Sequence, residues 1–171
     1  MIICLDADIL SSLAKIKRLD MIKKQFPQME IVIPDSVYNE ILKCKKLNLS
    51  FVDEIEKALD DWIQIRELPK TLKTEALKLK TTAGLGSEAD AIILAKASDG
   101  IFLSNDNDAL CEAEKIGLTA LNIQNLIHDA ILSGLIGSSS EVRQIKSDLK
   151  KYDYFEFKSE INRYLVEMPK K

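Results

Sequence analysis

Histidine is almost missing from this chain of 171 residues: His128 stands alone. A metal centre built on imidazoles needs more than one. A Ser-His-Asp triad would need a nucleophile elbow, and nothing around His128 resembles one. Cysteine is nearly as scarce. Cys4, Cys44 and Cys111 are an odd number with no paired spacing, which argues against a disulfide scaffold or a thiolate zinc site and for a reducing cytoplasm. No apolar run is long enough to span a bilayer. The opening MIICLDADIL lacks the basic start and small-residue cleavage site of a secretory signal. The expectation is a cytoplasmic protein with no membrane segment. There is no internal repeat and no low-complexity stretch. An excess of positive charge is missing too: 24 basic residues face 27 acidic ones, for a net charge of −3. The overall footprint of a nucleic-acid binder is therefore absent. Lysines do gather locally, at Lys43, Lys45 and Lys46, at Lys70, Lys73, Lys78 and Lys80, and at Lys146, Lys150 and Lys151. Both a basic rim around an acidic pocket and plain solvated helix faces fit that pattern.

What the chain does have is 46% hydrophobic residues, enough for one real core, and an alternation of short apolar runs with helical patterns. Strands are expected at 2–5, 30–34, 63–68, 101–103 and 118–123. Helices are expected at 8–26, 35–46, 51–62, 71–80, 87–98, 109–116, 124–133, 139–151 and 158–166. Residues 81–86 read as a loop. Strands alternating with helices imply an α/β fold, three layers of α/β/α around a central parallel sheet. In such sheets sites form beyond the carboxyl ends of the strands.

Four acids stand where a carboxylate is awkward, because carboxylates rarely accept burial without a partner. Asp6 directly follows the apolar run Ile2–Leu5. It could cap the next helix, but Asp8 is equally placed to do so. Glu40, in SVYNEILKC, sits beside the stripe of Val37, Ile41 and Cys44, where a solvated edge glutamate is the plain alternative. Asp90 interrupts an almost wholly apolar helix in GSEADAIILAKA. A capping box with Ser87 would normally use Glu or Gln. Glu88 points to another side of that helix and suits its N-terminal dipole. Asp106, in LSNDND, could be a cap or turn residue, as could Ser104, Asn105 and Asp108. If the four converged to about 5 Å, each pair would repel by roughly 3 kcal/mol at an effective dielectric near 20. Protonation or a cation must relieve that. An all-oxygen donor set selects Mg²⁺ or Mn²⁺.

The ordered set LDAD, IPDSVYNEIL, GSEADAIILA and FLSNDNDAL resembles the PIN-domain nuclease family. The resemblance covers Met1 to about Ile136. It is closest to a prokaryotic, VapC-toxin-like branch with a GEAEAI-like third motif and extra C-terminal helices. It implies a PIN-like nuclease domain at 1–136 and a helical extension at 137–171 packed on the same domain. It also implies a Mg²⁺- or Mn²⁺-dependent ribonuclease, with Asp6, Glu40, Asp90 and Asp106 as metal-binding and catalytic acids. Asp8, Glu88 and Asp108 become outer members, and Ser104 matches the small hydroxyl residue that orients a carboxylate. Asp8 departs from the Asn, Ser or Thr common at that place; it either adds a ligand or caps the helix. Some members of the branch sit in toxin–antitoxin pairs, so a small antitoxin protein and a homodimer are implied partners beside the RNA substrate.

The expectation is an endoribonuclease that cuts single-stranded RNA through metal-activated water. A non-catalytic nucleic-acid or protein-binding module on the same fold is the alternative, because fold does not fix function. A receiver domain also carries acids at strand ends, but it needs a lysine after a later strand, and LNIQN supplies none.

Overall fold

The computed structural model describes residues 1–157. It opens with β1 (Ile2–Leu5), whose four residues are all buried. A strand covered by helices on both faces has no polar side to show. The chain continues through α1 (Ala7–Lys15), α2 (Asp20–Gln25), β2 (Glu30–Pro34), α3 (Asp35–Lys46), α4 (Val52–Asp61), β3 (Ile63–Arg66), α5 (Lys70–Ala83), α6 (Glu88–Ala97) and β4 (Ile101–Leu103). It closes with α7 (Asn107–Lys115), β5 (Thr119–Leu121), α8 (Ile123–Leu132) and α9 (Ser139–Asp153).

The five strands form one sheet in the order β3-β2-β1-β4-β5, with every pairing parallel. Side chains alternate across it. Ile3, Leu5, Ile31, Ile33 and Leu103 enter a core shared with α1, α2, α4, α8 and α9. Ile2, Cys4, Val32 and Phe102 face the opposite way, into a core with residues of α5, α6 and α7. These are the three α/β/α layers expected. The chain leaves β1 toward β2 on one side, and β4 joins β1 on the other. The β1–β4 boundary is therefore where the strand order reverses, and a crevice opens beyond the carboxyl ends of these two strands.

Several boundaries differ from expectation for local reasons. The helix expected over 8–26 is two helices, because the chain turns after Ile16 with Lys17 at φ 56°. α5 runs on to Ala83 and stops at Gly84, whose φ of 71° is the left-handed cap that glycine adopts without strain. Asn122 leaves the last strand early. Its side chain accepts from Asn125 N–H, while Asn125 Oδ1 accepts from Asn122 N–H, a reciprocal cap for α8. α9 starts at the Ser138 cap, as expected for Ser138 or Ser139, and buries Val142, Ile145 and Leu149 in the α1–α8 core. The helix expected over 158–166 lies outside the described residues. No helix among the described residues is long and apolar enough to cross a membrane.

Gly100, between α6 and β4, sets how closely β4 lies on β1. A Cβ there would stand 2.6 Å from the Ile2 carbonyl oxygen and 2.7 Å from Ile2 Cγ1. Backbone cannot swing away as a side chain can. Gly100→Ala is expected to destabilise the fold by about 1–3 kcal/mol, read as a lowered midpoint in urea; an unchanged midpoint would mean the two strands have slack.

Candidate functional site

Asp6 and Ser104 are the first residues past the ends of β1 and β4, and ladder hydrogen bonds carry both. Asp6 N–H donates to Leu103 O at 3.1 Å, and Ser104 N–H donates to Leu121 O at 3.1 Å. The two side chains then join, with Ser104 Oγ donating to Asp6 Oδ2. Ser104 Oγ also accepts from Asp106 N–H at 3.0 Å. One buried hydroxyl thus ties the acid of β1 to the loop that carries Asp106.

Both aspartates are also helix caps. Asp6 Oδ1 accepts from Ile9 N–H at 2.9 Å, so Asp6 and not Asp8 caps α1. Asp106 Oδ1 accepts from Asp108 N–H at 2.7 Å and Ala109 N–H at 2.9 Å, capping α7. Capping and site membership are compatible here, because the Asp106 cap uses one oxygen only and each helix points its positive end at the crevice. Asp108 lies on the exposed first turn of α7 and contributes its amide to that cap.

Asp8, Glu40, Glu88 and Asp106 line one open cleft of about 1170 Å³. Glu40 comes from α3, half-buried, at the edge of the Val37–Ile41 face. Glu88 is the first residue of α6, and its Oε2 accepts from Gly86 N–H at 2.7 Å. Asp90 departs from the expected arrangement. Its carboxylate accepts from Lys80 Nζ at 2.8 Å, and it lines a separate recess with Asp35, Lys73 and Lys80. The reason is angular: two residues turn a helix by about 200°, so Glu88 and Asp90 cannot share a face. Ser87 makes no side-chain capping bond, so no capping box explains Asp90 either.

Lys80 was hidden in the sequence only by its distance from Asp90. A four-residue loop joins α5 to α6, so the last turn of one helix faces the first turn of the other. A basic residue in the former and an acid in the latter will meet.

Burial governs the electrostatics. Asp6 is 1% exposed, and desolvation pushes its pKa from 3.8 up to about 7. The hydrogen bonds from Ser104 and Ile9 N–H pull it down, while the charges of Asp8 and Glu88 push it up. Asp8 is raised as well, by burial first and then by Asp153, with Lys15 opposing and Asp106 and Glu88 adding to the rise. Burial, reinforced by the nearby Asp6 charge, pushes the Cys4 thiol well above its usual range. Cys4 is therefore an inert core residue beside the site and no nucleophile.

The donors fit a hard dication. All are oxygens, and Asp6 has no cationic partner among the described residues. Among those residues no group of three or more acidic, His or Cys side chains stands close enough together to hold a metal ion. An ion here would keep much of its water, as Mg²⁺ commonly does.

The family model DUF3368, described as a PIN domain, matches residues 1–169. No curated protein matches. Among solved structures, the protein PAE2754 of Pyrobaculum aerophilum is similar over 77% of this chain and 96% of its own, at 18% identity and a TM-score of 0.56. A PilT N-terminus domain protein, SSO1118 of Sulfolobus solfataricus, is similar over 76% and 93%, at 18% identity and a TM-score of 0.53. At these identities the likeness is one of fold.

The raised pKa of Asp6 makes a signed prediction. Between about pH 4 and pH 7 the native metal-free chain holds a proton that the unfolded chain releases. Stability from this group is full below pH 4 and is lost as pH rises toward 7, by at most about 1.4 kcal/mol per pH unit. Denaturation of the full chain in a chelator, at steps across that window, is expected to show a falling contribution that Asp6→Asn removes. Parallel profiles for the two proteins would show that Asp6 ionises normally.

Proposed function

We propose that this chain, which belongs to the PIN-domain family, is a Mg²⁺- or Mn²⁺-dependent endoribonuclease acting on single-stranded RNA. PIN domains are generally nucleases and typically use divalent metal ions. The observation that supports the reading best is the run Asp6–Ser104–Asp106: a fully buried carboxyl with no countercharge, tied through one hydroxyl to the backbone amide of a second acid at the strand-order reversal.

In this reading Asp6, Asp106 and Glu88, which form no ready-made three-acid group in the metal-free chain, would hold the ion, and Glu40 and Asp8 would complete the acidic wall. When bound, the ion supplies an acidified water and neutralises charge at the phosphodiester. The protein's own residues do the rest. Ser104 and the α1 cap each hold one oxygen of Asp6. The α7 cap holds Asp106 through Oδ1 alone, on the wall of the cleft. Glu40, from the opposite wall, is placed to orient the attacking water. Asp90 keeps Lys80 extended at the edge of the neighbouring recess, where Lys80 and Lys73 suit backbone phosphates. The cleft itself lines up seven acids (Asp8, Glu40, Asp53, Glu54, Glu88, Asp106 and Asp148) against Lys15, Lys17 and Lys57. Without a cation it repels a polyanion, so RNA binding and metal binding are one event.

A toxin role, a small antitoxin protein that covers the cleft, and a homodimer belong to the same proposal. The excess of acids in the cleft favours a basic antitoxin segment.

The test is cleavage of single-stranded RNA with Mn²⁺ or Mg²⁺ and with EDTA. Asp6→Asn, Asp106→Asn and Glu88→Gln are each expected to lower the rate by about 100-fold or more. Asp90→Asn is expected to lose less than about tenfold, with a steeper salt dependence of binding. Cleavage that survives EDTA and the first three substitutions overturns the reading. An RNA-binding, metal-binding chain without turnover would leave the binding module instead.

A further inference from the structure

Resting on the metal site just proposed, we propose that Asp153, the last residue of α9, is a positioning residue for the Asp106 loop, acting through Ser12 and Asn105. Ser12 lies in α1 and is 1% exposed. Its Oγ donates to Asp153 Oδ2 and accepts from Asn105 Nδ2 at 3.2 Å. Lys15 Nζ holds the other Asp153 oxygen at 2.6 Å. Asn105 stands between Ser104 and Asp106, and its Oδ1 accepts from Ile123 N–H at 3.0 Å. The run is therefore directional, from an amide to a hydroxyl to a carboxylate. It begins in the loop that carries Asp106 and ends in α9.

The carboxylate gives the run its direction. A serine hydroxyl has one hydrogen, and Asp153 accepts it. That leaves the Ser12 lone pairs facing Asn105, which fixes the Asn105 amide plane and with it the backbone between Ser104 and Asp106. Without Asp153 the hydroxyl is free to turn toward its own helix, bonding a carbonyl one turn back. Asn105 then loses its acceptor in a nearly dry place, where a polar network acts as a unit. The charge of Asp153 is felt at Asp8, on the cleft wall, and Lys15 opposes it. α9 thus acts on the Asp106 loop through hydrogen bonds and on the cleft wall through its field.

A simple tether between α9 and α1 would use the same Ser12 and Lys15 contacts. It differs in what moves: a tether loosens α1 and α9 alone, whereas a relay also loosens the 104–106 loop. Amide hydrogen exchange on the full chain separates them. Asp153→Ala and Ser12→Ala are each expected to speed exchange at Asp106 and Ile123 by about tenfold, while β3 stays within about twofold. The double variant should be no worse than either single one, because both break the same run. Asp153→Asn, which keeps an oxygen for Ser12, should restore much of the protection. Titration with Mn²⁺ alone should show affinity lower by about 10- to 100-fold in the Ala variants. Unchanged exchange at Asp106 and Ile123, an equal rise in β3, or additive effects overturns the relay. The expected exchange pattern in a chain that neither binds Mn²⁺ nor cleaves RNA keeps the relay and overturns the proposed function.

Discussion

A single buried carboxyl organises this end of the molecule. Asp6 has to sit past the end of β1, because the parallel ladder carries its amide to Leu103. It has to be dry, because β1 is covered on both faces. Nothing nearby gives it a countercharge, so its ordinary ionised form is disfavoured and its proton is held to about pH 7. Two hydrogen bonds, from Ser104 and from the first turn of α1, keep it in place at that cost. Closing β1 against β4, capping α1 and holding the Asp106 loop all depend on where this one side chain points.

The other acids show the contrast. Elsewhere on the described surface many carboxylates meet ammonium or guanidinium groups: Glu56 with Lys45, Glu67 with Lys73, Glu75 with Lys96, Glu141 with Arg18. Exposed pairs of this kind add little to stability, but they show that lysine is available. Past the strand ends Asp6 and Asp106, and at the start of α6 Glu88, accept backbone or hydroxyl hydrogen bonds instead. Partial positive charge from helix starts and amides offsets part of their repulsion. It supplies no full countercharge to any of the three.

Much of this was legible in the sequence. The continuous apolar runs Ile2–Leu5 and Ile31–Ile33 carried the parallel sheet, and the all-round apolar face of α6 carried its burial. Asp6 and Asp106 could be placed at strand ends because those runs stop abruptly. Position along the chain could not say which way α6 turns. Glu88 and Asp90 are nearly opposite on that helix, and only its packing on α5 decides which of them meets the cleft and which meets Lys80. The lysine clusters were ambiguous for the same reason: Lys45 and Lys73 belong to solvated ion pairs, while Lys80 is tied to a buried acid. The Asp153–Ser12–Asn105 run left no local signal. Its members are separated by 141 and 93 positions, and each looks like an ordinary helix or turn residue in its own neighbourhood.

The polar run also explains how a site of like charges can be held without being locked. If Asp6 and Asp106 were fixed by an internal cation, the cleft would be neutral and would have no use for a metal ion. If they were held by nothing, repulsion would spread them apart. Hydrogen bonds to neutral donors take a middle course. They fix direction while leaving the charge uncompensated, so in the proposed reading a cation still has a charge to neutralise. Lys15 and Lys80 follow that rule: each is already engaged by an acid outside the proposed metal-holding set, Asp153 and Asp90 respectively. Seen this way, those two aspartates protect the vacancy of charge on which the cleft depends.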